Sequence, residues 1–140
     1  MKILAAVDQS EYAGIVLQKA AELSSKYGAE VTALTVTNLA FTNLYIGETP
    51  TEIVSKVREG IKEKVKDIEA KARGIDGKIK FEVEESASPA DAIVKYAEKN
   101  GIDLIVIGNK GAGAIERFLI GSVSSQVVTH APCSVLVVKK

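Results

Sequence analysis

One cysteine, Cys133, and one histidine, His130, are all the soft metal-ligating side chains in 140 residues. A single thiol leaves no internal disulfide and no thiolate cage for a metal, a usage that fits a reducing cytosol. An excess of one charge is missing too, since 18 Lys+Arg stand against 18 Asp+Glu. General nucleic-acid and anionic-membrane binders work through surplus positive charge, so neither partner is expected, and any anion site must be local. No apolar run approaches the roughly 18 residues of a membrane span. The chain opens on MKILAAVD, a strand pattern, where a secretory leader would put a charged segment, a long apolar run and a cleavage site. A soluble, unprocessed cytoplasmic protein is the expectation. Two familiar phosphate loops are also absent. A P-loop ends in Gly-Lys-Ser/Thr, a tripeptide not found here, and a dinucleotide fingerprint needs a third glycine where Glu116 follows Gly111-Ala112-Gly113.

What is present alternates. Ile3 to Val7 forms a short apolar strand ending at Asp8, and Ser10 can cap a helix whose Val16, Ala20, Leu23 and Tyr27 share one face before Gly28. Val31 to Val36 is a second, largely β-branched strand suited to burial on both faces. Thr37 to Thr49 shows no period yet holds Phe41, Leu44, Tyr45 and Ile46. Such a loop folds over a ligand or partner, or packs on its own domain. Thr49-Pro50-Thr51-Glu52 has capping-box spacing, and Val54, Val57, Ile61, Val65, Ile68 and Ala72 then predict about six helical turns before Gly74 and Gly77. Lys78 to Glu84 alternates, with Ile79, Phe81 and Val83 on one side and charges on the other, which places it at a sheet edge. Ser88-Pro89-Ala90-Asp91 starts another helix, with Ile93, Val94 and Ala97 inward and Asn100-Gly101 at its end. Five strands alternating with four helical segments imply an α/β fold, an open parallel sheet with helices on both faces and right-handed crossovers. At this length the chain forms one domain able to bury roughly 68% of its unfolded surface.

The chemistry concentrates between Asp103 and Ser125. Leu104 to Ile107 is a buried strand; Gly108, Gly111 and Gly113 follow, and then Gly121-Ser122 begins a helix carrying Val123, Val127, Val128 and Ala131. Backbone without side-chain bulk permits close approach, and the first N–H groups of a helix lack internal partners at the positive end of its dipole. The stretch is therefore expected to hold the phosphates of a nucleotide, although a glycine-rich loop also serves as a plain strand-to-helix turn. Ligands of open parallel sheets lie beyond the carboxyl ends of the strands. Asp8 and the Gly108 loop share that edge whatever the strand order.

Gly108-Asn109-Lys110-Gly111, nine residues, and then Gly121-Ser122-Val123-Ser124 resembles the G-2x-G-9x-G-S/T pattern of the ATP-binding branch of the universal stress protein family. Ile3 to Asp8 followed by Ser10, the Ser88-Pro89 helix start, Asp103 to Ile107, and Ala131-Pro132-Cys133-Ser134 running into Val138 are similar to the family's corresponding segments, so the resemblance covers the whole chain. It implies a Rossmann-like sheet of the adenine nucleotide alpha-hydrolase type, strand order 3-2-1-4-5, as a single domain over residues 1–140. It also implies that Ala6, Val7 and Val36, with Asp8, surround adenine and ribose. Gly108, Asn109, Lys110, Gly111 and Gly113 would wrap ribose and phosphates; Gly121, Ser122, Val123 and Ser124 would offer N–H groups and hydroxyls to the phosphate chain. Ser122 and Ser124 could help hold Mg²⁺ or Mn²⁺, which binds mostly through phosphates. The chain departs from many relatives in having Ala6 and Val7 where they carry proline or threonine, and Ala87 near a common glycine.

Plainer roles stand beside these. Asp8 can simply satisfy loop amides, Lys110 and Arg117 can be solvated, and Ser122 can cap a helix. His130 reads as a surface residue favoured by the dipole at a helix end, and Cys133 as buried and inert. Beyond Asp8 no acid, base or arginine is placed for hydrolysis, so no catalytic residue is assigned. The expected function is an ATP-, ADP- or AMP-responsive regulatory or stress-response protein with little turnover, in which occupancy orders the Thr37–Thr49 loop and the Gly108–Gly121 segment. The alternatives are a nucleotide-independent interaction module and a slow ATPase. The apolar last strand, Ser134 to Val138, leaves an edge for antiparallel pairing with a second copy, and the resemblance also points to a homodimer through it.

Overall fold

The computed structural model describes residues 1–38, 51–110 and 120–140. Most of the Thr37–Thr49 loop, the Thr49-Pro50 helix start, Gly111, Gly113 and Arg117 lie outside them. The described chain runs β1 (Lys2–Ala6), α1 (Tyr12–Tyr27), β2 (Glu30–Thr37), α2 (Thr51–Ile75), β3 (Lys80–Glu85), α3 (Pro89–Asn100), β4 (Leu104–Gly108), α4 (Ser122–His130) and β5 (Ser134–Val138). All strand pairs are parallel, in the order β3-β2-β1-β4-β5. The expected architecture and order are both found, with the Lys78–Glu84 segment at one edge and the last strand at the other.

β1 is the centre, and its alternation divides the molecule into two layers. Ile3 and Ala5 pack with Ala13, Val16, Leu17 and Ala20 of α1 and with Ile68 and Ala72 of α2. Leu4 and Ala6 face the other way, onto Ala90, Ile93 and Ala97 of α3 and Val127 of α4. Hence the unbroken apolar run of β1 has both its faces covered, as parallel strands require. Tyr96 of α3 packs on this second layer beside the β3 edge; burial, reinforced by the nearby Glu82 carboxylate, pushes its phenol up to about 12.

Helix ends follow the expected chemistry with local shifts. Ser88 caps α3, its hydroxyl accepting the Asp91 N–H at 3.3 Å, with Pro89 in the first turn and Gly101 closing the helix at φ 62°. Ser88→Ala should cost about 1 kcal/mol, read as a melting temperature lower by about 2–4 °C in a circular-dichroism melt. The first helix starts at Tyr12 with Glu11 as its flanking residue, and Ser10 contributes from one position earlier, its hydroxyl accepting the Tyr12 N–H at 3.3 Å.

Several inward or terminal positions differ from expectation. Tyr27 is 64% exposed, because α1 ends there and the left-handed Gly28 turns the chain away. Val128 is 49% exposed while Val127 is fully buried, since neighbours on a helix point about 100° apart. The long helix runs through Gly74 to Ile75, whose side chain packs on the first layer. Its Val54, Val57, Ile61 and Val65 are only half-buried. At 25 residues α2 is about 37 Å long, more than twice a five-residue strand, so it outruns the sheet it lies on. Val83, the last apolar residue of the alternating strand, stays 44% exposed.

Candidate functional site

Parallel strands deliver all their carboxyl ends to one rim, and in this order the strand sequence reverses between β1 and β4. A crevice opens there by geometry, because the crossovers from the two strands leave to opposite faces. The cleft found at this point encloses about 210 Å³. Its floor is the strand ends Ala6, Val7, Leu34, Val36, Ile107 and Gly108; one wall is Tyr12, Ala13 and Val16 of α1, and the other is Pro89 and Ile93 of α3 with Val123 and Ser124 of α4. The polar groups on its rim are Asp8, Ser10 and Lys110. Typical ligand pockets span about 300–1,000 Å³, so this apolar slot has room for the flat part of a ligand, with its remainder on the rim.

Each crossover helix starts at this rim, and for the three whose caps lie among the described residues the sequence treats the start differently. The α1 start is filled from within: Asp8 Oδ1 accepts the Ser10 N–H at 2.8 Å and the Ser10 hydroxyl accepts that of Tyr12, while the Glu11 carboxylate pairs with Lys140. The α3 start is filled as well, by the Ser88 cap, the Asp91 carboxylate and Pro89, which has no N–H to offer. The third helix, α4, begins at Gly121 in extended conformation, with no side-chain cap and no acidic residue in its first turn. Among these three, only the α4 mouth therefore keeps both the partial positive charge and the donors that an anion needs. Lys110, the one cation lining the cleft among the described residues, adds a full charge nearby.

Hydrogen bonds hold the two halves of the candidate cradle together. The Ser124 hydroxyl donates to the Gly108 carbonyl at 2.6 Å, the Asn109 N–H donates to the Val138 carbonyl at 2.8 Å, and the Gly121 N–H donates to the Asn109 carbonyl at 2.8 Å. Gly121 thus spends its own N–H on the loop. Donors toward a ligand fall to the next residues of the helix, with the Ser122 side chain exposed. Ser124 is 3% exposed, and its proton is already committed to Gly108, which leaves only its lone pairs for any cation. Among the described residues no cluster of three or more His, Cys, Asp or Glu could hold a metal.

Of the residues named from sequence, Ala6, Val7, Asp8, Val36, Gly108, Lys110, Val123 and Ser124 line the cleft. Asn109, Gly121 and Ser122 flank it through the contacts above, and Gly111 and Gly113 are outside the described residues. Sequence reasoning omitted Ser10, Tyr12, Ala13, Val16, Leu34, Pro89, Ile93 and Ile107. Pro89 and Ile93 were within reach, because the rule that places Asp8 at the carboxyl rim places the start of every following helix there too. The same rule reaches Tyr12, the first residue of α1, but nothing in the sequence marked its packing on Gly108. Away from the cleft, Cys133 is half-buried against the second layer, and burial, aided by the Asp103 carboxylate, raises its thiol pKa. Iodoacetamide at neutral pH should label it more slowly than in the urea-unfolded chain, as mass spectrometry of timed samples can read.

The family model for the Universal stress protein family matches residues 1–139. Universal stress protein MJ0531 of Methanocaldococcus jannaschii is 36% identical, the match covering 99% of this chain and 82% of the relative. The chain belongs to the universal stress protein family. Among solved structures of similar shape, hypothetical protein MJ0577 superposes with a TM-score of 0.78 at 31% identity, covering 99% of this chain and 95% of the other. A universal stress protein from Archaeoglobus fulgidus, solved in complex with dAMP, superposes with a TM-score of 0.67 at 27% identity, covering 98% and 96%. This universal stress protein has no helix among its described residues long and apolar enough to cross a membrane.

Proposed function

We propose that this universal stress protein binds an adenine nucleotide and acts as a nucleotide-responsive regulator with little or no turnover. The observation that carries the reading is the pairing, at one rim, of an apolar slot with the helix mouth at Gly121, the one left uncapped among the described helix starts. The slot suits a purine, whose faces are apolar, and the mouth suits phosphate oxygens. Ala6, Val7, Leu34 and Val36 would flank the base, Asp8 the ribose, and Lys110 with the first turn of α4 the phosphates. ATP, ADP and AMP all fit this scheme. The dAMP held by the Archaeoglobus fulgidus relative supports the adenylate class. Mg²⁺ or Mn²⁺ would be carried mainly on phosphate oxygens, with Ser122 and Ser124 as minor contributors.

Low turnover is supported by the cleft's composition. Among the described residues its one carboxylate, Asp8, already accepts the Ser10 N–H, and no histidine lines it. Slow ATP hydrolysis is the competing reading, and phosphate release that Asp8→Asn abolishes would favour it. A cytoplasmic setting is part of the same proposal, supported by the lone reduced thiol.

Isothermal titration with ATP, ADP and AMP, each with and without magnesium, is the test. Saturable heat together with a ligand-dependent rise in melting temperature is expected. No heat and no thermal shift with any of them would leave the interaction-module reading in its place. That second reading has its own observation: β5 is an edge strand, and Leu136 on it is 36% exposed. Homodimerisation through Ser134–Val138 is proposed on that ground, and sedimentation of the purified chain as a monomer at every concentration would refute it.

A further inference from the structure

The cleft has two ways out, and one is shut by a side chain. Anything seated between β1 and β4 can extend toward the α1 face of the sheet or toward the α4 face, since the two helices lie in opposite layers. Tyr12 stands at the first exit. A Cβ built on Gly108 would lie 2.7 Å from the Tyr12 Cβ, 2.9 Å from its Cγ and 3.0 Å from its Cδ1, so the side chain rests directly on the Gly108 backbone. On the other side of the same residue the Ser124 hydroxyl grips the Gly108 carbonyl at 2.6 Å, drawing the α4 mouth close to the strand end.

We infer that Tyr12 is a positioning residue that fixes the direction of the bound ligand, blocking the α1 exit so that a phosphate chain can run only to α4. The inference rests on the nucleotide reading above and adds a residue and a role to it. Charge works in the same direction, because the Asp8 carboxylate is bound to the turn that starts α1, whereas Lys110 lies on the open rim. The ring side of Tyr12, and not its hydroxyl, carries the role: the atoms nearest the space over Gly108 are its Cβ, Cγ and Cδ1.

The test compares adenosine with ATP, both titrated with magnesium present, on wild type, Tyr12→Phe and Tyr12→Ala. A wall that orients phosphates contributes to the tail and not to the base. The ratio of the adenosine Kd to the ATP Kd should therefore fall at least tenfold in Tyr12→Ala and stay within about twofold in Tyr12→Phe. Should Tyr12→Ala fail to fold, Tyr12→Val replaces it, keeping an apolar contact on Gly108 while removing the ring. A side chain that only packs the helix would weaken both ligands alike, so an unchanged ratio in a folded variant overturns the assignment. So does a fall in Tyr12→Phe as large as in Tyr12→Ala, which would shift the role to the hydroxyl. Wild type that binds adenosine and ATP equally keeps the base site but removes the role of Tyr12. Wild type that binds neither removes the nucleotide reading itself.

Discussion

Gly121→Asp should strengthen the fold and weaken the ligand at once. Gly121 precedes α4 at φ −63° and ψ 156°, a conformation any residue adopts, and no side chain caps the helix. An aspartate there can accept an N–H of the first turn and interact with the helix dipole, a gain of a few tenths of a kcal/mol over glycine, up to about 1. The same carboxylate occupies the place where phosphate oxygens would lie. Two unit charges about 4 Å apart repel by about 4 kcal/mol at an effective dielectric constant of 20. With partial relief by movement and salt, adenylate affinity should fall roughly 30- to 1,000-fold, at about 1.4 kcal/mol per tenfold. Thermal melts and titrations on the same sample check both signs together, and opposite signs exclude misfolding as the cause. Gly121→Asn, which caps without the charge, should retain much of the affinity. Wild-type affinity in the aspartate variant would mean that the phosphates lie elsewhere.

Gly108→Ala should lower stability by about 1–3 kcal/mol, the usual cost of forcing an extra carbon into a filled site. The reason is specific. The new methyl would meet Tyr12 at its Cβ, 2.7 Å away, and a rotamer change moves the tip of a side chain but not its Cβ. Neither backbone can yield easily: Gly108 is paired with Val138 across the β4–β5 ladder, its carbonyl is held by Ser124, and the next N–H is held by Val138. At about 2–4 °C per kcal/mol for a protein of this size, the melting temperature should drop by several degrees. An unchanged melt would show that α1 shifts freely, and would undercut the wall assigned to Tyr12 as well.

Elements with a local cause were legible in the sequence. Ser88 and Pro89 write the start of α3 in adjacent letters, and the alternation of Ile79, Phe81 and Val83 marks an edge strand because one face has nothing to cover it. Strand order came from the resemblance to a family, since local pattern does not say which parallel strands are neighbours. The glycine at 108 was visible as a demand for space, but the sequence suggested a ligand as the claimant, and the structure shows a tyrosine distant along the chain. Ser124 likewise reads as a phosphate hydroxyl until its proton is found on the Gly108 carbonyl. In both cases the missing information was tertiary: which side chain comes to rest on which stretch of backbone. Tyr27 and Val128 failed for the opposite reason, a period extended past the point where the sheet stops or across a helix face that only one of two neighbours can occupy.

Both layers of the protein lock onto one ribbon, with Ile3 and Ala5 keyed into one and Leu4 and Ala6 into the other. Prising either pair of helices away would strip half the side chains from β1 and expose its remaining grip to water. The two slabs are consequently expected to melt in one transition, with calorimetric and van't Hoff enthalpies that agree.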